Sequence, residues 1–138
     1  MNVTVLYVGS SLLAPLRNAE REINRAYGLD LRLAVRNFGS QFTEDEWRTI
    51  ESDLAASEII FVIHVMDGEN AARLLPLLDR HRSKATVIVI NCMPELMKRT
   101  RVGKLDFGKL PGVSSGKAQR GEGKESEVSS VGNLLKGI

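Results

Sequence analysis

Two rhythms of apolar and polar positions divide this chain. Val3 to Val8, Glu58 to Val65 and Thr86 to Asn91 are short runs rich in β-branched side chains with little polar interruption. The first predicts an opening strand, and the latter two have the pattern of strands covered on both faces of a parallel sheet. Leu31 to Asn37 alternates more, which predicts a strand at or near a sheet edge.

The intervening segments follow a helical period. Leu12, Leu16, Ala19, Ile23 and Ala26 recur at threes and fours, while Arg17, Glu20, Arg21, Glu22 and Arg25 fill the other faces, the mark of an amphipathic helix. Gly28 is placed to end it as a left-handed cap. After a loop at 38–41, Thr43 followed by Glu46 forms a capping-box signature. It predicts a helix from Glu44 to about Ala56 that buries Trp47, Ile50 and Leu54. A third helix is expected from Glu69 to Arg82, with Leu74, Leu75, Leu77 and Leu78 as its apolar content. Pro76 inside it should remove one hydrogen bond and kink it, or mark a later start. Pro94 then opens a helix over 95–100, because a proline is pre-set for the first helical position.

The resulting order β-α-β-α-β-α-β-α predicts an α/β domain of three layers with a mostly parallel sheet and right-handed crossovers, flavodoxin-like or Rossmann-like. Four strands are few for such a sheet, so a fifth is expected from elsewhere. Residues 1–110 form this domain. Residues 111–138 read as a flexible tail, since 111–127 is rich in Gly, Ser and mixed charge and cannot bury enough surface to offset ordering entropy. Apolar residues return at Val131, Leu134, Leu135 and Ile138, as if another element were beginning.

Composition narrows the class more than the function. With 138 residues, 43% hydrophobic and 26% charged, the chain suits one globular domain. Nineteen bases against seventeen acids give a net charge of +2, so bulk charge supplies no reason to expect a nucleic-acid partner. One cysteine excludes an internal disulfide and a cysteine-based zinc site. No apolar run approaches the ~20 residues that span a bilayer, so no membrane span is expected. The expected location is the cytoplasm, or the plastid stroma in a phototrophic eukaryote.

Candidate chemistry collects where strands end and helices begin, the junction at which open α/β sheets bind ligands. Gly9-Ser10-Ser11 could cradle a phosphate, but it lacks the glycine spacing of the nucleotide fingerprints, and a turn with a helix-capping serine is the ordinary reading. His64 and Cys92 approach the same edge, yet two residues on separate strands specify no metal site; a hydrogen-bonded structural histidine and an inert buried thiol are the ordinary readings. Helix N-termini explain the carboxylates Asp67, Glu69 and Glu95 without acid–base chemistry. Lys98, Arg99, Arg101, Lys104 and Lys109 form a basic run opposed by Asp106 alone. It suits either an anionic ligand or a solvated helix end.

The same junction carries a family likeness. Cys92-Met93-Pro94-Glu95-Leu96-Met97-Lys98-Arg99, followed by Val102-Gly103-Lys104-Leu105-Asp106-Phe107, resembles the S-M-P-E-V-M-R and L-G-x-F pattern in the N-terminal domain of the large, porphyrin-binding subunit of magnesium chelatase. The cobalt chelatase large subunit is related. The run from Ala55 to Ile63 with the acidic helix after it looks like the preceding part of that domain. The similarity covers most of Val3 to Leu110, with Met93-Pro94-Glu95 its specific part.

This resemblance implies a piece of a much longer chelatase polypeptide, or a shortened relative, from the ATP-dependent ligase that inserts Mg²⁺ into protoporphyrin IX for chlorophyll and bacteriochlorophyll synthesis. Protoporphyrin IX, Mg and ATP belong to the whole complex. No cofactor, metal ligand or catalytic residue is expected of this domain, which should be inactive alone. The implied partners are the remaining domains of the large subunit and its AAA+ ATPase subunits, with porphyrin a candidate ligand. The expected contact residues are Asn91, Met93, Pro94 and Glu95, with Lys98, Arg99 and Arg101 facing a carboxylate or acidic surface. Methionines suit a flat macrocycle or a partner surface, and bases suit propionates. The rival expectation is a free-standing flavodoxin-like small-molecule binder or enzyme, with a pocket at Ser10, Asn37, His64 and Asn91.

Overall fold

The computed structural model describes residues 1–65, 68–91 and 93–110. Cys92, Asp67 and the predicted tail at 111–138 therefore lie outside the described residues. Strand β1 (Asn2–Tyr7) leads through α1 (Leu13–Tyr27) to β2 (Arg32–Asn37), and α2 (Glu44–Ala56) leads to β3 (Ile59–Ile63). Helix α3 (Gly68–His81), β4 (Thr86–Ile90) and the single-turn α4 (Pro94–Met97) follow. Two short strands, β5 (Arg101–Val102) and β6 (Leu105–Asp106), precede a 3₁₀ turn at Phe107–Lys109. The sheet order is β2-β1-β3-β4-β5-β6. The first four strands pair in parallel, in register from Asn2 opposite Arg32 through Ile63 opposite Ile90, and the last two are antiparallel. The fold is the predicted α/β architecture, consistent with a three-layer flavodoxin-like or Rossmann-like arrangement.

The predicted elements largely hold. Helix α1 ends at Gly28 with φ 61°, a conformation glycine adopts without cost. The capping box at α2 is complete: the Glu46 amide donates to Thr43 Oγ1 at 3.3 Å, and the Thr43 amide donates to Glu46 Oε2 at 2.7 Å. Trp47, Ile50 and Leu54 are buried by α2, and Phe38, Phe42 and Trp47 meet edge-to-face with centroids 4.8–5.7 Å apart. Helix α3 runs through Pro76. Because β2 is an edge strand, its outward backbone groups need partners, and α1 supplies them. Asn24 pairs with both the amide and the carbonyl of Leu31, Glu20 accepts from the Leu33 amide at 2.8 Å, and Arg17 donates to the Leu33 carbonyl at 3.0 Å. These side chains occupy the row that would otherwise template another strand.

Three expectations are corrected. No serine caps α1; Leu12 occupies the cap position without a side-chain bond. The helix expected over 95–100 is one turn, after which the chain reverses into β5 and β6 and supplies the missing strands. Thr100 makes that reversal workable, its buried hydroxyl accepting from the Val89 amide at 3.1 Å while its carbonyl accepts from the Phe107 amide at 3.0 Å. Strands β3 and β4 are not equally covered on both faces. Ile60, Val62, Val87 and Val89 are buried, but Ile59, Phe61, Ile63 and Ile88 are only half-buried and Ile90 is 51% exposed. On the same face of the sheet, α1 contains no fully buried residue.

The core also holds a polar pair that hydropathy does not reveal. Ser57 Oγ donates to the Asp53 carbonyl at 2.6 Å, which leaves it to accept from the fully buried Thr4 hydroxyl at 2.6 Å. This chain of bonds ties β1 to the α2–β3 connection.

Thr43→Ala removes one half of the capping box and is expected to lower stability by about 1 kcal/mol. Urea unfolding followed by Trp47 fluorescence measures the change, and an unaltered midpoint would count against the capping account.

Candidate functional site

The carboxyl ends of the four parallel strands form one rim. Chain direction reverses between β1 and β3, since β1 feeds one way to β2 and β3 feeds the other way to β4; a crevice at such a switch point is the general ligand position in open α/β sheets. Gly9, Ser10 and Ser11 leave β1 there, Asn37 leaves β2, His64 leaves β3, and Asn91, Met93, Pro94 and Glu95 leave β4. The structure thus brings Ser10, Asn37, His64 and Asn91 to one edge, together with the turn that carries the family likeness.

Their chemistry differs. Asn37 Oδ1 accepts from the amides of Gly9 and Gly39 at 3.3 and 3.0 Å, while its Nδ2 donates to the Gly9 carbonyl at 3.1 Å. Asn91 Nδ2 donates to the Val65 carbonyl at 2.6 Å and Oδ1 accepts from the Met93 amide at 3.1 Å. Both amides therefore clip neighbouring loops together and set the rim's shape. Gly9 has φ 114°, a backbone state that an L side chain rarely adopts. Ser10, Pro94 and Glu95 are exposed.

His64 departs most from expectation. It is exposed rather than buried as a structural residue, because β3 ends at Ile63. It also has φ 54°, the only positive φ at a non-glycine among the described residues, and its amide donates to the Ile90 carbonyl at 2.9 Å. The left-handed region costs an ordinary L residue about 1–2 kcal/mol, and such costs concentrate at functional positions. Sequence reading missed this because a histidine at the end of an apolar run carries no dihedral signal.

Around Pro94 the apolar side chains turn inward. Leu96 is fully buried, and Met93 and Met97 pack against the main core while remaining partly exposed. The predicted basic cluster is not gathered at the rim. Arg99 grips Asp79 with two bonds of 3.0 and 3.1 Å and donates to the Glu95 carbonyl at 2.7 Å. Arg101 lies opposite Val87 near the amino end of β4 and donates to the Arg82 carbonyl at 3.1 Å. Lys98 follows α4 directly, and Lys104 is exposed in the β5–β6 turn. Asp106 is engaged with Arg82 at 2.6 Å. Partial burial pushes the Asp106 carboxyl up, but the Gly108 amide, the Arg82 guanidinium and Lys109 outweigh it and hold the carboxyl below the usual carboxylate range. These pairs fasten the β5–β6 hairpin to α3 and use much of the charge that sequence alone left open for a ligand.

A small polar hollow of about 140 Å³ lies beside the rim, lined by Gln41, Glu44, Trp47, Glu69 and Arg73 among others. Arg73 forms a two-point pair with Glu44 at 2.6 and 2.5 Å and lies 4.9 Å from the Trp47 ring centroid, a cation–π distance. Among the described residues no three His, Cys, Asp or Glu side chains stand close enough to hold a metal, and no helix is long and apolar enough to cross a membrane.

Two substitutions check this geometry. His64→Gly relieves the left-handed strain and is expected to raise stability by about 1 kcal/mol in urea unfolding; an unchanged midpoint would mean that the dihedral carries no strain. The depressed Asp106 carboxyl gives stability that is fully present above the ordinary carboxylate pKa near pH 4 and is lost as pH falls through its lower folded value. Asp106→Asn should therefore lower Tm at pH 7, with the gap to the native chain closing in acid as the native carboxyl takes up its proton. A gap of constant size across that range would contradict the ion-pair account.

No curated protein matches the chain. A family model described as "Domain of unknown function (DUF3479)" matches residues 2–136, which takes in the whole sheet, the rim and most of the tail. The chain belongs to the DUF3479 domain family.

Proposed function

We propose that this domain is the non-catalytic head of the large subunit of a tetrapyrrole metal chelatase of the magnesium chelatase type, and that its carboxyl rim docks against other parts of that assembly. The observation that carries the reading is the Met93-Pro94-Glu95 turn. The stretch most like that large subunit in sequence stands at the carboxyl end of β4, with Pro94 and Glu95 exposed. Anchoring by Leu96, with Met93 and Met97 against the core, makes the turn a rigid projection, and a preorganised surface loses little freedom on binding. Arg99 and Arg101 are occupied with Asp79 and the Arg82 carbonyl, which favours a protein surface over porphyrin propionates as the rim's partner. Magnesium insertion, protoporphyrin IX and ATP hydrolysis belong to the complete assembly, and the partners are the remaining large-subunit domains and the AAA+ subunits.

A second reading rests on His64. A ligand at the β1–β3 switch point would meet Ser10 and His64, and a strained, solvent-accessible histidine there is what a small-molecule site of the flavodoxin type would use.

Binding separates these readings. Immobilised domain is expected to capture the remainder of a chelatase large subunit, and Pro94→Ala with Glu95→Lys should weaken capture by about tenfold or more, as removal of a central anchor does. Protoporphyrin IX is added in parallel, with Soret absorbance and Trp47 fluorescence followed. Saturable porphyrin binding with no capture would replace docking by porphyrin handling. A flavin or nucleotide that raises Tm in the native chain but not in His64→Gly, again without capture, would select the switch-point reading.

A further inference from the structure

Arg82, Lys84 and Arg101 gather at the amino ends of the parallel strands, the end of the sheet away from the rim. The turn from α3 into β4 meets β5 there, since Arg101 pairs with Val87. Together they form an open pocket of about 160 Å³ lined by Arg82, Ser83, Lys84, Thr86, Arg101 and Gly103 among others. Its exposed lining is mostly polar, and among the described residues no carboxylate contributes to it.

Charge is unbalanced in this pocket. Arg82 is half-buried and held by Asp106 at 2.6 Å. Arg101 gives one N–H to the Arg82 carbonyl at 3.1 Å and has no carboxylate partner among the described residues; Lys84 is exposed and has none either. Three bases against the single carboxylate of Asp106 leave an excess of two positive charges. An arginine carries five N–H donors, so most of those on Arg101 remain. Ser83 and Thr86 add hydroxyls that make no hydrogen bond among the described residues.

Bases near a helix C-terminus ordinarily answer its unpaired carbonyls, but here other groups meet that demand. The His81 carbonyl accepts from the Lys84 and Ala85 amides, each at 3.0 Å, and the Leu78 carbonyl accepts from the Arg82 amide at 2.8 Å. The Lys84 ammonium and the remaining donors of Arg101 are surplus to the end of α3. The frame around them is fixed: the Thr86 amide donates to the Glu58 carbonyl at 2.9 Å, and the Arg82–Asp106 pair ties the turn to β6. Several donors around a small cavity with two excess positive charges match a compact, doubly charged oxyanion better than a planar, singly charged carboxylate.

We propose that Arg82, Lys84 and Arg101, with the hydroxyls of Ser83 and Thr86, bind a phosphate group, free or carried as the monoester of a small molecule, at the end of the sheet away from the rim. The inference is independent of the chelatase reading.

Amide proton–nitrogen correlation spectra of the full chain test it, with ionic strength held constant by sodium chloride because exposed charges are screened by salt. Sodium phosphate, glycerol 3-phosphate and sodium acetate are titrated in parallel at pH 7. Saturable shifts confined to residues 82–86 and 101–104 are expected with one or both phosphates and not with acetate. Tighter binding of the ester assigns the pocket to a phosphorylated small molecule, and tighter binding of inorganic phosphate assigns it to the free ion. Lys84→Gln and Arg101→Gln should each weaken binding by about fivefold or more, while Arg25→Gln on α1 leaves it unchanged. The same spectra report whether each variant folds, and the exposed Lys84 side chain can be replaced without breaking a contact. Shifts that do not saturate, that acetate reproduces, or that survive Lys84→Gln unchanged would overturn the proposal. So would a hexaglutamate peptide that binds where phosphate does not, which would give the pocket to an acidic protein segment.

Discussion

The right-handedness of parallel crossovers is the constraint on which this molecule's shape depends. From β1 the chain moves one way to β2 and then turns back past β1 to β3 and onward to β4. Reversing direction while keeping the hand of the connection sends α1 to one face and α2 and α3 to the other. The main core therefore forms on the side of α2 and α3, from Leu6, Ile50, Ile60, Leu74, Val87 and their neighbours. The other side has only the smaller cluster of Val3, Val5, Tyr7 and Leu31. Both the thinner cover on that side and the switch-point crevice descend from that single reversal.

Strand polarity has a second consequence. Every parallel strand ends at the same rim, so segments far apart in sequence arrive together without any local motif announcing it. Asn37 and Asn91 each use their side chain to hold the loop beside them. Rigid rims of this kind present a few fixed groups and keep the rest of the polar inventory internally satisfied. The accessible remainder, Ser10, His64, Pro94 and Glu95, is what a ligand or partner would meet first.

The sequence was informative where one local interaction decides the outcome. The Thr43–Glu46 reciprocal bonds and the left-handed turn at Gly28 need no distant partner, and the alternation of Leu31 to Asn37 identified the edge strand. It was uninformative where the outcome depends on what covers a surface. The run from Ile59 to Ile63 is apolar on both faces, but hydropathy does not say how much helix lies on each. Two-residue strands such as β5 and β6 are shorter than any period, and the Arg82–Asp106 and Arg99–Asp79 pairs that fix their surroundings join residues 24 and 20 positions apart. The basic run from Lys98 to Lys109 consequently read as one patch, although Arg101 lies near the opposite end of β4 from Pro94.

That separation bears on what the rim can recognise. A porphyrin carboxylate needs a base within charge-assisted hydrogen-bond distance of an apolar platform, whereas Arg99 spends its planar fork on Asp79 and Arg101 is turned toward the Arg82 carbonyl. Both guanidinium groups are thus already engaged within the domain. A protein surface makes no such demand, because it can read the fixed contour of Met93, Pro94 and Glu95 through shape and rim polarity. Arg99 and Arg101 thus serve the packing of the hairpin and its approach, while Pro94 and Glu95 stay exposed, a division within a stretch that looks uniform in sequence.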